Sequence, residues 1–129
     1  MKTTRLVLLS ILIAFGFCSF NTIDKENEAL IGVWVYAASE NGITQYVKSE
    51  HFERDKSGLK FKKTGTFIKR QNSGKCGTPP ITYKNYTGTW KFKSDSTLTI
   101  KYKYWGEKNT EDFKIIGLNS RSLKIKTMD

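Results

Sequence analysis

The sequence predicts an all-β fold, a small antiparallel up-and-down β-barrel of about eight strands behind an N-terminal signal segment. Three observations carry this. Apolar and polar residues alternate with period two almost throughout the chain after residue 30. Clusters of Gly, Asn, Asp and Ser punctuate the alternating runs at regular intervals. After the leader, no stretch sustains helical spacing for three turns. Successive strands joined by short turns form a meander, and closing it removes the exposed edges.

The first element is the leader. Residues 1–20, "MKTTRLVLLSILIAFGFCSF", set Lys2 and Arg5 ahead of an apolar run from Leu6 to Phe15. That run is too short to span a bilayer and is followed by small residues, as in an export signal. Two processing routes are open. Ala14 and Gly16 offer the small residues an ordinary signal peptidase needs, whereas cleavage just before Cys18 would let its thiol be lipidated. Phe17 fits the second route poorly and Ser19 fits it acceptably. Once the leader is removed or lipidated, Cys76 has no partner in the chain, so the domain relies on packing rather than a disulfide. About 110 residues then remain, enough for one modest core.

Residues 21–29 read as a linker or a short helical turn, with "DKENEAL" as its best helical stretch. Residues 30–129 form the barrel domain. Alternation marks strands at about 31–38, 43–49, 51–54, 58–63, 66–71, 81–93, 96–105, 110–117 and 121–127, the short third run merging with a neighbour. In "STLTIKYKYW", Leu98, Ile100, Tyr102 and Tyr104 oppose Thr97, Thr99, Lys101 and Lys103. "GTWKFK" sets Trp90 and Phe92 against Lys91 and Lys93, and "SLKIKT" sets Leu123 and Ile125 against Lys124 and Lys126. The longest connection, "QNSGKCGTPP" at 71–80, is stiffened by Pro79 and Pro80 and reads either as a lid or contact surface or as a spacer.

Two glycines stand two residues before a tryptophan, in "LIGVWVY" and "GTW". Glycine lets a curved strand bend, and a tryptophan two residues on faces the same side and plugs one end of a small barrel. With "KKTGTF", "GTWKFKSDSTLTI" and "FKIIGLNSRSLKIK", these segments resemble the small lipocalin-like proteins of bacterial envelopes of the Bacteroidetes type. The resemblance implies a lipocalin-like or calycin-like barrel in which Gly32, Trp34, Trp90 and Arg121 close one end, Arg121 stacking on Trp34. It also implies a periplasmic or outer-membrane-anchored protein, or a secreted one. The longer signatures differ: "TEDF" at 110–113 is only a loose echo of the family's Thr-Asp-Tyr turn. A wide ligand cup and a tighter, filled barrel therefore both stay open.

If a lumen exists, the alternation supplies its wall. Tyr36, Tyr83, Tyr102, Tyr104 and Phe113 are the inward candidates, joining apolar rings to hydroxyls as an amphipathic ligand requires. Trp105 ends a strand at the rim. The charge balance is basic: without Lys2 and Arg5, 20 basic residues face 12 acidic ones, a net charge of +8. Seven of the basic residues lie in "KSGLKFKKTGTFIKRQNSGK" (56–75), which holds no acid. Such a stripe draws an anionic envelope surface or protects sheet edges from pairing. Nucleic acid is not an expected partner of an exported protein, and the expected link to a membrane is a lipid on Cys18 alone. Catalysis finds little support: His51, the single histidine, stands near Glu50 and Glu53 without a nucleophile elbow, phosphate loop or zinc spacing. The expectation is a non-enzymatic, cofactor-free binding protein for a small hydrophobic or amphipathic ligand. The alternative is a filled barrel that contacts an envelope protein or anionic surface.

Overall fold

In the computed structural model the alternating runs fold into eight strands. These are β1 (Gly32–Glu40), β2 (Ile43–Ser49), β3 (Gly58–Phe61), β4 (Thr66–Asn72), β5 (Tyr83–Phe92), β6 (Thr97–Tyr104), β7 (Glu107–Leu118) and β8 (Ser122–Met128). The structure describes residues 28–74 and 81–128. The leader with Cys18, most of the linker, Cys76, Pro79 and Pro80 lie outside the described residues. Of the linker, residues 28–30 are helical.

The sheet closes into a barrel in the order β1-β2-β8-β7-β6-β5-β4-β3, every pair antiparallel. A plain meander would pair β8 with β1 and β2 with β3. Instead β2 pairs with β8, and β1 lies between β2 and β3. Strands β2 and β3 are thus parallel to each other, and a parallel connection needs a crossover, not a hairpin. Residues 50–57 make it, so the expected strand at 51–54 is a connection.

This crossover returns along the outside of β1. Tyr36 N donates to Ser57 O at 2.9 Å, and Arg70 on β4 donates to the carbonyls of Glu53 and Arg54 at 3.2 and 2.7 Å. A Cβ on Gly58 would meet the Phe52 ring at 2.7 Å, so glycine lets the crossover lie against the wall. Val33 and Val35 alternate with inward Trp34 and face outward, yet they are only 5% and 1% exposed. The covered outer face of β1 explains why "LIGVWVY" is apolar at consecutive positions.

Inside, the core cluster runs from Leu30 and Trp34 through Leu59, Phe61, Phe67, Leu98 and Ile100 to Leu123 and Ile125. Burial of each such side chain contributes about 1.5–3 kcal/mol before the entropy of ordering is counted. Two bulges, between Tyr36 and Ala38 on β1 and between Ile115 and Gly117 on β7, shift the ladder by one residue.

Candidate functional site

The barrel has two unlike ends. At one, the short helical turn carries Leu30 under the indole of Trp34, whose Nε1 donates to Leu30 O at 2.8 Å. Both residues are fully buried. Lys48 lies directly opposite Trp34 in the β1–β2 ladder, and its ammonium stands 4.5 Å from the centre of the indole. That cation–π contact is worth about 1 kcal/mol. Lys48 Nζ also donates to the carbonyl of Ile31, and burial holds its pKa below the ordinary lysine value. Gly32 has φ +131°, and a Cβ there would lie 2.7 Å from Lys48 Cε. The positive φ is what favours glycine here, since the flexible tip of Lys48 would move aside for a side chain.

The second Gly-x-Trp closes the neighbouring wall. Trp90 Nε1 donates to Lys62 O at 2.9 Å, and its ring meets Phe61 edge-on at 5.4 Å. A Cβ on Gly88 would strike the backbone carbonyl of Lys101 on β6. The β5–β6 ladder ends at the pair Gly88 and Tyr102 although both strands run on. Where they part, a groove of about 490 Å³ opens in the outer wall, bordered by Thr87, Lys101, Lys103 and Lys108.

At the other end the inward side chains are polar and aromatic. Lys69 on β4 donates to Glu111 Oε2 at 3.2 Å and to the Tyr102 hydroxyl at 3.1 Å. Tyr102 in turn donates to Glu111 Oε1 at 3.1 Å. Strands β4 and β7 are separated by β5 and β6 in the closed sheet, so this ion pair spans the interior. The Lys69 and Glu111 side chains keep 19% and 31% exposure, so water reaches into the barrel to this depth. Tyr102 beneath them is 6% exposed and forms the floor.

Above the floor, two pairs of tyrosines face each other from opposite walls. Tyr36 and Tyr46 meet edge-on at 6.3 Å on β1 and β2, and Tyr86 and Tyr104 do so at 4.9 Å on β5 and β6. All four are half-buried. The Tyr104 hydroxyl donates to Asn72 O at 2.9 Å. Burial, with the Glu111 charge and Tyr36 adding to it, pushes the Tyr46 phenol up to about 12, so it stays protonated at neutral pH. Burial likewise raises Tyr102, against the opposing pull of Lys69. Gln71 faces inward two residues beyond Lys69, and among the described residues its Nε2 is the one buried side-chain N or O atom without a hydrogen-bond partner.

Of the inward candidates, Tyr36, Tyr102, Tyr104 and Phe113 point into the barrel, and Phe113 joins the buried core instead of the cup wall. Tyr83 does not. It pairs with Asn72 and stands beside Arg70 on the outer face, with the guanidinium 6.0 Å from its ring. Counting by twos back from Trp90 reaches Tyr86 and passes over Tyr83, so the signal was available in the residues. Arg121 is likewise corrected: it is exposed in the β7–β8 turn, and Lys48 takes its expected place on Trp34. Its main chain does contribute, because Arg121 O accepts from Lys48 N at 2.8 Å.

Lys69, Gln71, Tyr46, Tyr86 and Glu111 were not singled out by sequence. The basic stripe is not one surface either, since Lys69 points inward and Arg70 is engaged by the crossover and by Asn85. His51 lies exposed on the crossover, and Glu53 pairs with Lys56 at 3.2 Å. Among the described residues no three His, Cys, Asp or Glu side chains gather to hold a metal. Trp105 is at the rim as expected, 47% exposed in a turn at φ +56°, and Ile81 is similarly exposed at that end, while Met128 is exposed on the outer wall beside Asp112 and Thr97.

Residues 30–125 match the family described as a lipocalin-like domain. No curated protein and no solved structure shows significant similarity to the chain.

Proposed function

Because the chain belongs to the lipocalin-like domain family, we propose that it is a non-enzymatic binding protein for a small amphipathic molecule. The molecule sits in the tyrosine-lined half of the barrel, above the Lys69–Tyr102–Glu111 floor. One observation carries this reading: Trp34, Leu59, Phe61, Phe67 and Leu98 are fully buried at one end, whereas the paired inward tyrosines, Lys69 and Glu111 at the other keep partial exposure. That exposure reaches the Lys69–Glu111 pair spanning the interior, which a barrel filled to its rim would shield. The cup instead offers apolar ring faces with a few polar groups, the composition of small-molecule sites. The leader adds that the protein works outside the cytoplasm, in the cell envelope or beyond it, with Cys18 as the candidate lipid anchor.

The test is a fluorescence titration with N-phenyl-1-naphthylamine, an uncharged amphipathic probe that brightens in apolar sites. Saturable binding to the wild type is expected, weakened by roughly tenfold or more in Gln71→Trp, where an indole fills the cup. A thermal melt checks that the variant folds. Absence of saturable binding to the wild type contradicts the proposal. Mass spectrometry of the protein from its own host tests the anchor through a lipid-sized increment on Cys18.

A second reading has its own support. Ile81 and Trp105 are 45% and 47% exposed around the mouth, alongside exposed Lys84, Lys103 and Lys108. Exposed aromatic and aliphatic side chains among lysines suit contact with an anionic envelope surface. Co-sedimentation with anionic but not neutral vesicles, lost in Trp105→Ser, is the expected result of that reading.

A further inference from the structure

We propose that the cup selects an uncharged ligand bearing a hydrogen-bond acceptor, and that Glu111 sets this preference. The inference rests on the binding reading above and adds the chemical class of the ligand. Lys69 is the cation at the cup floor, and left alone it would make the site a receptor for carboxylates. It is not left alone. Its ammonium is engaged by Glu111 at 3.2 Å and by the Tyr102 hydroxyl at 3.1 Å, and it stands 4.9 Å from the centre of the Tyr102 ring. The second oxygen of Glu111 is occupied by the Tyr102 hydroxyl. The three groups form a closed ring of hydrogen bonds whose net charge is zero.

At the floor an entering carboxylate must therefore stand beside Glu111, with Lys69 already engaged; the nearest other cation on this face, Lys84 opposite Gln71, is exposed at the mouth, where water screens it. An entering ammonium meets Lys69 in the same way. Both ions also lose hydration that this ring does not replace. A neutral carbonyl meets no such opposition. It also finds a donor: Gln71 Nε2 is buried, lacks a partner and lies on the same face of β4, two residues above Lys69. A buried donor without an acceptor is costly to the free protein, and an ester, ketone or amide oxygen would satisfy it. The protonated Tyr46 phenol adds a second donor-capable group on the facing wall. The tyrosine pairs on opposite walls then hold the apolar body of the ligand between ring edges and faces.

The experiment displaces N-phenyl-1-naphthylamine with octanoate, methyl octanoate and octylammonium at neutral pH. It compares the wild type with Glu111→Gln and Lys69→Met. The wild type is expected to bind methyl octanoate more tightly than either ion. In Glu111→Gln, octanoate should gain roughly tenfold on methyl octanoate, because Lys69 is released to receive it. In Lys69→Met, octylammonium should gain and octanoate should not. Two results overturn the assignment: octanoate binding the wild type at least as tightly as its methyl ester, or an unchanged octanoate-to-ester ratio in Glu111→Gln. The wild-type comparison stands even if a variant fails to fold. Failure of the fluorophore itself to bind the wild type would remove the binding reading, whereas binding without charge selection removes only this one.

Discussion

The two halves of the barrel are built from the same strands and the same alternation, yet they serve different ends. Around Trp34 the inward positions Leu59, Phe61, Phe67, Leu98 and Leu123 are filled to less than 2% exposure, and Lys48, on the same face as Trp34, lies over the indole at the barrel's end. Beyond Tyr102 the inward positions are Tyr, Lys, Gln and Glu, and water reaches them. Tight packing is concentrated in the first half, and the polar groups of the proposed binding site in the second. Period two decides only which face a residue takes. Residue type then decides whether that face becomes core or cup.

The sharpest way to break this comparison is at the plug. Trp34→Ala removes a fully buried indole and its hydrogen bond to Leu30 O, and should cost about 3–5 kcal/mol in urea unfolding. A cost below about 1 kcal/mol would mean that this end is not the structural anchor.

Next in size is Tyr46, at the boundary between the halves. Its phenol titrates at about 12 in the folded protein against 10.0 ordinarily, so the unfolded chain loses this proton first as pH rises. The stabilisation is fully present below pH 10 and is lost between there and pH 12, amounting to about 2–3 kcal/mol. Tyr46→Phe should flatten that alkaline limb, as followed by denaturant melts at pH 9 to 11.

Gln71→Leu should move the halves apart. Removing an unsatisfied buried donor is expected to raise stability by about 1 kcal/mol, while weakening methyl octanoate binding. A stabilising substitution that harms binding is the signature of a site held at some cost to the fold. Asp112, on the outer wall, gives the smallest effect. Hydrogen bonds from Thr99 and Lys93 hold its carboxyl below the ordinary value of 3.8. Its contribution is present above that pH and fades as pH falls through the lowered value. Asp112→Asn should trim only this acid limb in melts between pH 2 and 5, and leave ligand binding unchanged.

Much of the barrel was legible in the residues. Leu98, Ile100, Tyr102 and Tyr104 point inward as alternation demands, and the lipocalin-like family match spans 30–125. The topology was not legible, because turn residues mark where a strand ends without saying which neighbour it joins. The β2–β3 crossover is therefore invisible until Val33 and Val35 are seen to be buried on an outer face. The bulge between Tyr36 and Ala38 brings Lys48 opposite Trp34. Counting back from the Asn41-Gly42 turn without it places Ser49 there. The floor was hidden for another reason. In "FIKRQN" the lysine reads as a solvent-facing residue because adjacent Phe67 and Ile68 leave the inner face ambiguous, and its partner 42 positions away, Glu111, shows that it faces in.

The most direct measurement of the two-halves account is an amide and side-chain NMR titration with N-phenyl-1-naphthylamine. Resonances of Tyr36, Tyr46, Gln71, Tyr86, Tyr104 and Glu111 should shift together and saturate, while those of Trp34, Phe61 and Leu98 stay in place. Shifts centred on Trp34, or confined to the outer groove beside Lys101 and Lys108, would contradict it.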